Sequence, residues 1–335
     1  MERITRSCLS IILAALMLIS GFAALGEAFQ TPTDECELTE TQLWWAEDHA
    51  MFDSAWEQFK RVPMPEQSWF WIYELPENTY ALFEPNQEEL VISYLIIGEE
   101  SALLWDTGLG IGNIRDCVEA LTDLPVTVLN SHDHFDHIGG NALFDRIMCY
   151  NIDTAVETLT RGIPHEELTE WINPDAIVNP PKDFSADTFF TAGKSPTATV
   201  EDGEMIDLGG RWLEVMYTPG HDDAAIMLID EQNGLLFTGD TWYPGWLYVF
   251  PEVCPLEQYL ETMQNVGRVI RAKNIRQLYP SHNEIFPGTY RFDDTTAFME
   301  RVVSNQEEYE MIDGYPVYIL DDTFAIMIMG LGDNL

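Results

Sequence analysis

The chain has 335 residues, enough to bury a sizeable core, and its ordinary apolar and aromatic content excludes a disordered protein. Asp and Glu number 57 against 16 Lys and Arg, a net charge of −41 that repels phosphate backbones and argues against nucleic acid as a partner. Such a charge fits an acid-rich solvated surface, as in adaptation to salt; an acidic docking face is the competing reading.

In chain order, residues 1–28 read as a signal peptide. Arg3 and Arg6 supply positive charge, Leu9 to Leu25 is nearly all apolar, and Gly26-Glu27-Ala28 places small residues where a signal peptidase cuts. An uncleaved anchor is the alternative, because the run is just long enough to span a bilayer. The expected location is therefore periplasmic or extracellular, or membrane-anchored through this segment. Residues 29–66 form an N-terminal helical arm. Within it, Leu43, Trp44, Met51, Phe52, Ala55, Trp56 and Phe59 recur at helical spacing over 39–61, ended by Pro63 and Pro65. His49, isolated among apolar neighbours there, reads as structural.

Residues 67–335 read as one domain. FWIYELPENTYALFEP, ELVISYLIIG and SALLWDTG are β-rich runs, 113–122 fits a helix, and PVTVLNS is a buried strand leading into SHDHFDHIGG. A short helix is expected around 141–146. Residues 153–195, with short helices at HEELTEWI and a Pro/Asn-rich loop, read as a cap-like insertion that also holds His165. A second β-rich block follows, with Asn233-Gly234 as a hairpin turn. Residues 255–272 are helical, NIRQLYPSHN is a strand, and a last helix precedes strands at YPVYIL and TFAIMIM. Leader cleavage leaves Cys36, Cys117, Cys149 and Cys254, as disulfides or as buried free thiols.

Three of the chain's seven histidines fall within six residues, as H-x-H-x-D-H: His132, His134, Asp136 and His137. His132 and His134, two apart at a strand end, can point to one side, and Asp136 and His137 reach the same place from the next turn. Imidazole nitrogen and carboxylate oxygen are ligands that Zn²⁺ accepts. Three later strands each end in a ligand type beside a turn: TPGH with His221, FTGD with Asp240 and YPSH with His282. Only His49 and His165 lie outside these contexts. Sharp turns after strands aim side chains off the sheet edge into a shared cleft.

With Asp106-Thr107-Gly108 ahead of HDHFDH, PGH, GD and SH, the chain resembles the metallo-β-lactamase-fold hydrolase superfamily over roughly residues 70–335. The resemblance implies an α+β fold, a four-layer αββα sandwich with two metals at the sheet edge. It implies that His132, His134 and His221 hold one ion, that Asp136, His137 and His282 hold the second, and that Asp240 bridges. Asp106 would orient a ligand. Two Zn²⁺ are implied, with iron or manganese open; His134 stands where flavo-diiron relatives show a glutamate. The implied chemistry is attack by a bridging hydroxide, with Asp136 also accepting the water's proton or passing it to the leaving group. No G-x-S-x-G nucleophile is present.

The bridging Asp240, and the lack of Lys over 221–250, argue against a β-lactamase proper; the charge argues against a nuclease. Asp222 and Asp223 disfavour an anionic substrate if they face the cleft. Trp242, Tyr243, Trp246, Tyr248 and Phe250 form an aromatic-rich loop, either core packing or an apolar substrate wall. Tyr243, three residues past Asp240, resembles the tyrosine with which quorum-quenching lactonases polarise a carbonyl. The expected activity is hydrolysis of a neutral or weakly charged ester, lactone or thioester. An iron-dependent oxygenase on the same fold, β-lactam hydrolysis as a main or side activity, and a non-catalytic metal-keeping protein are the alternatives. The partner is a small molecule, and oligomeric state is left open.

Overall fold

A computed structural model describes residues 55–64, 67–285 and 288–330. The leader, His49, Cys36 and most of the expected 39–61 helix lie outside the described residues. The described end of that helix differs from expectation. Ala55–Gln58 is a 3₁₀ turn, and β1 (Lys60–Val62) pairs antiparallel with β2 (Trp71–Leu75). The helical spacing runs on to Phe59, but the free edge of β2 offers this backbone ladder hydrogen bonds, and Lys60 pairs with Glu74 across it at 2.7 Å.

The first sheet then runs through β3 (Thr79–Phe83), β4 (Ile92–Ile97) and β5 (Ala102–Trp105) as antiparallel neighbours. Helix α1 (Ile114–Leu121) crosses over to β6 (Val126–Leu129), parallel to β5. Asn113 caps α1, and Ile114, Cys117 and Val118 are its buried stripe. After β6 come the one-turn helix α2 (Phe135–Ile138) and, in place of the expected 141–146 helix, a 3₁₀ turn at Asn141–Leu143. β7 (Ile147–Tyr150) follows parallel to β6. The insertion holds α3 (Asp153–Arg161), β8 (Gly162–Ile163), α4 (His165–Leu168) and β9 (Thr191–Ala192), and β10 (Ala198–Val200) returns to the first sheet beside β7. His165 lies in α4, its Nδ1 on the Phe189 carbonyl at 3.0 Å, and it belongs to none of the histidine–aspartate groups among the described residues.

The second sheet contains β11 (Met205–Asp207), β12 (Trp212–Tyr217), β13 (Ile226–Asp230) and β14 (Leu235–Gly239), and the β13–β14 hairpin turns at Asn233-Gly234 with Gly234 at φ +69°. Next comes β15 (Gly245–Val249). After α5 (Leu256–Ala272), β16 (Gln277–Pro280) completes the sheet parallel to β14. Helix α6 (Tyr290–Val303) precedes β17 (Glu310–Ile312), β18 (Tyr315–Asp321) and β19 (Phe324–Ile328), which form a smaller sheet with β15. The segment expected as an aromatic loop is therefore partly strand. β15 pairs parallel with β19, and Leu247 and Val249 are buried while Trp246 and Tyr248 are half-buried, the period-2 pattern of a strand.

Three buried clusters stack these layers. One joins α1 and α3 to the outer face of the first sheet, through Ile114, Val118, Ala155, Leu159, Leu95 and Leu104. A second lies between the sheets, with Tyr94, Trp105 and Leu129 facing Val215, Leu228 and Phe237. A third covers the second sheet with Tyr259, Met263, Phe298 and Met299 of α5 and α6. The order is helix, sheet, sheet, helix, the αββα sandwich expected. Strands β13 and β14 are buried throughout, as this sandwiching requires. Cys117, Cys149 and Cys254 are buried free thiols.

Candidate metal centre

Strands β5, β6, β12, β14 and β16 end on one edge of the sandwich, and the residues just past them meet there. Asp106 follows β5, His132 to His137 follow β6, His221 follows β12, Asp240 follows β14 and His282 follows β16. His132 and His134 lie in the bend after β6 and not on the strand itself, yet their ring centroids are 4.5 Å apart. Two close approaches hold this bend against the Asp106 turn. Gly139 passes so near Leu109 that a Cβ there would lie 2.0 Å from its carbonyl carbon, and Asp106 itself sits at φ +63°. Thr107 Oγ1 donates to Asn141 Oδ1 at 2.9 Å and Asn130 Nδ2 to the His137 carbonyl at 2.8 Å.

All seven residues singled out as ligands converge. Ligand atoms of His132, His134 and His221 lie within 4.8 Å of one another, as do those of Asp136, His137 and His282, and those of His132, His137 and Asp240. Asp240 stands between the groups. Its Oδ2 is 2.9 Å from His282 Nε2 and 3.6 Å from His221 Nε2, and its Oδ1 is 3.3 Å from His137 Nε2. Asp136 Oδ2 lies 3.4 Å from both His137 Nε2 and His282 Nε2.

The outer ring nitrogens are held by the protein. His137 Nδ1 meets Asp106 Oδ2 at 3.0 Å, and Asp106 also accepts from Ser131 N and Ser281 Oγ. His132 Nδ1 meets Ser131 Oγ, His221 Nδ1 the Tyr248 carbonyl and His282 Nδ1 the Glu89 carbonyl. The inward His132 Nε2, His137 Nε2 and Asp240 Oδ1 are buried with no hydrogen-bond partner. Such orphans are costly, and divalent cations held between these groups would satisfy them. Burial holds His221 neutral, down to about 4, and holds His132 well below the ordinary imidazole value. Burial also pushes His282 down, but Asp240 and Asp136 outweigh it and raise it to about 9. Likewise burial pushes Asp240 up, while His282 and His137 together hold it well below the carboxylate range. Burial thus favours the neutral imidazole at His221 and His132, while the carboxylates favour the charged form at His282 and His137, a positive charge that a divalent cation would supply in its place. Imidazole nitrogen and carboxylate oxygen are the donors a borderline metal takes.

The remaining sequence candidates fall differently. Tyr243 is buried, its ring centroid 5.1 Å from that of His282, and its hydroxyl donates to the Trp246 carbonyl at 2.7 Å. With that hydroxyl committed, Tyr243→Phe is expected to leave kcat/KM within about threefold; a loss of about 100-fold would give Tyr243 the polarising role. Trp242 is core, its Nε1 on Thr295 Oγ1. Phe250 does reach the centre, with ring centroids 5.7 Å from His134 and 5.5 Å from His221. Asp222 is buried behind His134, and Asp223 Oδ1 accepts from Thr154 Oγ1 at 3.0 Å. Sequence reasoning missed Glu84, which is buried and accepts from Trp69 Nε1 at 2.6 Å and Leu109 N at 3.1 Å, tying the turn after Asp106 in place. Burial pushes its carboxyl up to about 7. Its place at the end of β3, far along the chain from the motif, gave no local signal.

Fold and site together define a metallo-hydrolase-type sandwich with a histidine–aspartate cluster at its strand ends. A family model of the metallo-beta-lactamase superfamily matches residues 88–282, a span holding Asp106 and all seven clustered residues, and the chain belongs to that superfamily. It is 30% identical over 206 residues to the acyl-coenzyme A thioesterase MBLAC2 of Homo sapiens, covering 58% of this chain and 73% of that protein. It is also 30% identical over 205 residues to the probable metallo-hydrolase MJ0888 of Methanocaldococcus jannaschii, covering 58% and 87%. The crystal structure of DIM-1 metallo-beta-lactamase superposes with a TM-score of 0.50 at 15% identity, over 70% of this chain and 99% of that one, a likeness of fold.

Proposed function

We propose that the chain is a metal-dependent hydrolase of acyl thioesters with a two-metal centre. His132, His134 and His221 would hold one ion, Asp136, His137 and His282 the other, and Asp240 would serve both; zinc is the ion we assign. The observation that carries this is Asp240, whose two oxygens lie between the histidines of both groups. Two such cations supply Lewis acidity and make water ionisable at neutral pH. Asp136, buried beside His137 and His282, would take the proton of the attacking water and release it to the leaving thiolate as the C–S bond breaks. Asp106 keeps the His137 ring fixed while this happens. Phe250, half-buried against His134 and His221, offers an apolar wall to the acyl group.

The choice of thioester rests on the relatives named acyl-coenzyme A thioesterases, in Homo sapiens and also in Gallus gallus, where 27% identity covers 83% of the relative. The charge of −41 favours an uncharged leaving thiol at low ionic strength. The test is metal analysis of the native protein with a panel of acyl-coenzyme A, S-acylglutathione, uncharged N-acetylcysteamine thioesters, lactones, oxygen esters and β-lactams. Thioester turnover well above the others is expected. Lactone turnover without thioester turnover would overturn the substrate assignment, and iron with oxygen consumption would support the oxygenase. The leader read over residues 1–28 supports export, checked by N-terminal sequencing of the mature protein.

A further inference from the structure

Four of the five clustered histidines share one orientation. His132, His137, His221 and His282 each hand Nδ1 to a protein group and turn Nε2 inward. His134 is reversed. Its Nδ1 lies 3.1 Å from His221 Nε2, inside the cluster, so Nε2 faces outward. It is also the most exposed of the five, its side chain 32% accessible. The group facing that outward nitrogen is the Asp222 carboxylate, Oδ2 at 3.6 Å, beyond hydrogen-bond length but within ion-pair range. The other oxygen, Oδ1, accepts from Ala224 N at 2.7 Å, which fixes the carboxylate in the turn.

We infer that Asp222 is a positioning residue for His134: it keeps the proton on Nε2 and so leaves the Nδ1 lone pair for the metal. This rests on His134 being a metal ligand. A ligating histidine needs its second nitrogen directed by an acceptor, and loss of such a partner lowers metal affinity roughly 10- to 100-fold. Asp222→Asn keeps an oxygen for Ala224 N and turns an amide NH₂ toward His134, a donor where an acceptor is required. The turn is retained and the tautomer opposed.

The experiment measures zinc affinity by chelator competition, and the visible spectrum with cobalt, for the wild type, Asp222→Asn and His134→Ala, with melting temperatures of the metal-free proteins. The expected result is that His134→Ala loses one ion, and that Asp222→Asn weakens that same ion roughly 10- to 100-fold, shifts its cobalt spectrum and melts like the wild type when metal-free. Wild-type affinity in Asp222→Asn beside a defective His134→Ala would overturn the role of Asp222. Equal weakening of both ions with a lowered metal-free melting temperature would overturn it too, as a folding defect. Wild-type binding in His134→Ala would instead overturn the metal centre on which it rests.

Discussion

Asp240→Ala is expected to lower kcat/KM toward the best thioester on the order of a thousandfold, equivalent to about 4 kcal/mol of transition-state stabilisation. No other side chain in the cluster meets three of the histidines through both its carboxylate oxygens: His137 on one, His221 and His282 on the other. Alanine there removes the shared anion, so bound metal should fall from two equivalents toward one or none. It also leaves His282 without its largest favourable charge and His137 without one of the carboxylates that face it, which loosens the second group more than the first. Metal content and steady-state kinetics on the same preparation check this. Near-normal turnover with two bound ions would sink the shared-ligand assignment.

The largest expected effect on stability lies at the opposite edge of the sandwich. Arg211 is buried, its Nε 2.8 Å from Asp230 Oδ2, its Nη1 on the carbonyls of Glu77 and Ile97 and its Nη2 on Thr79 Oγ1. One guanidinium thus joins the β2–β3 turn and the end of β4 in the first sheet to β13 in the second. Arg211→Met leaves the buried Asp230 carboxylate with only the neutral Asn233 donors and takes the guanidinium from the Glu77 and Ile97 carbonyls and Thr79 Oγ1, and should destabilise the fold by about 3–5 kcal/mol in urea unfolding of the metal-free protein. The pair replacement Arg211→Met with Asp230→Leu should recover much of this, since no charge is then left buried and unpaired. Activity of folded Arg211→Met should stay near normal, because the bolt sits at the far ends of the strands that carry the site. A loss below about 1 kcal/mol would show that the guanidinium is dispensable.

Much of the fold was legible because local pattern and tertiary environment agreed. The alternating runs at 71–83, the apolar runs at 92–105 and the Asn233-Gly234 turn became strands and a hairpin where expected. Disagreement came where tertiary contacts outweighed local spacing. The periodicity of 39–61 runs past Ala55, yet β2 recruits Lys60–Val62 as an edge strand. The aromatics after Asp240 read as a loop, yet β19, some 80 residues away in sequence, gives Trp246 and Tyr248 a strand partner. Backbone hydrogen bonding over such separations leaves little trace in a local window.

The sequence by itself determined the identity and order of the clustered residues. Ligand chemistry belongs to residue type, and the Gly and Pro of TPGH, FTGD and YPSH mark where each strand releases its side chain. Tertiary structure alone decided how each ring is turned. Three of the outer partners are not side chains of a recognisable type: the Tyr248 and Glu89 carbonyls are backbone, and the Ser131 hydroxyl is a common neighbour. The same holds for Asp222. Its place after His221 was visible, but facing the cleft and lying behind His134 are equally compatible with sequence. A carboxylate's direction is set by what packs around it, here Ala224 N on one oxygen and His134 on the other.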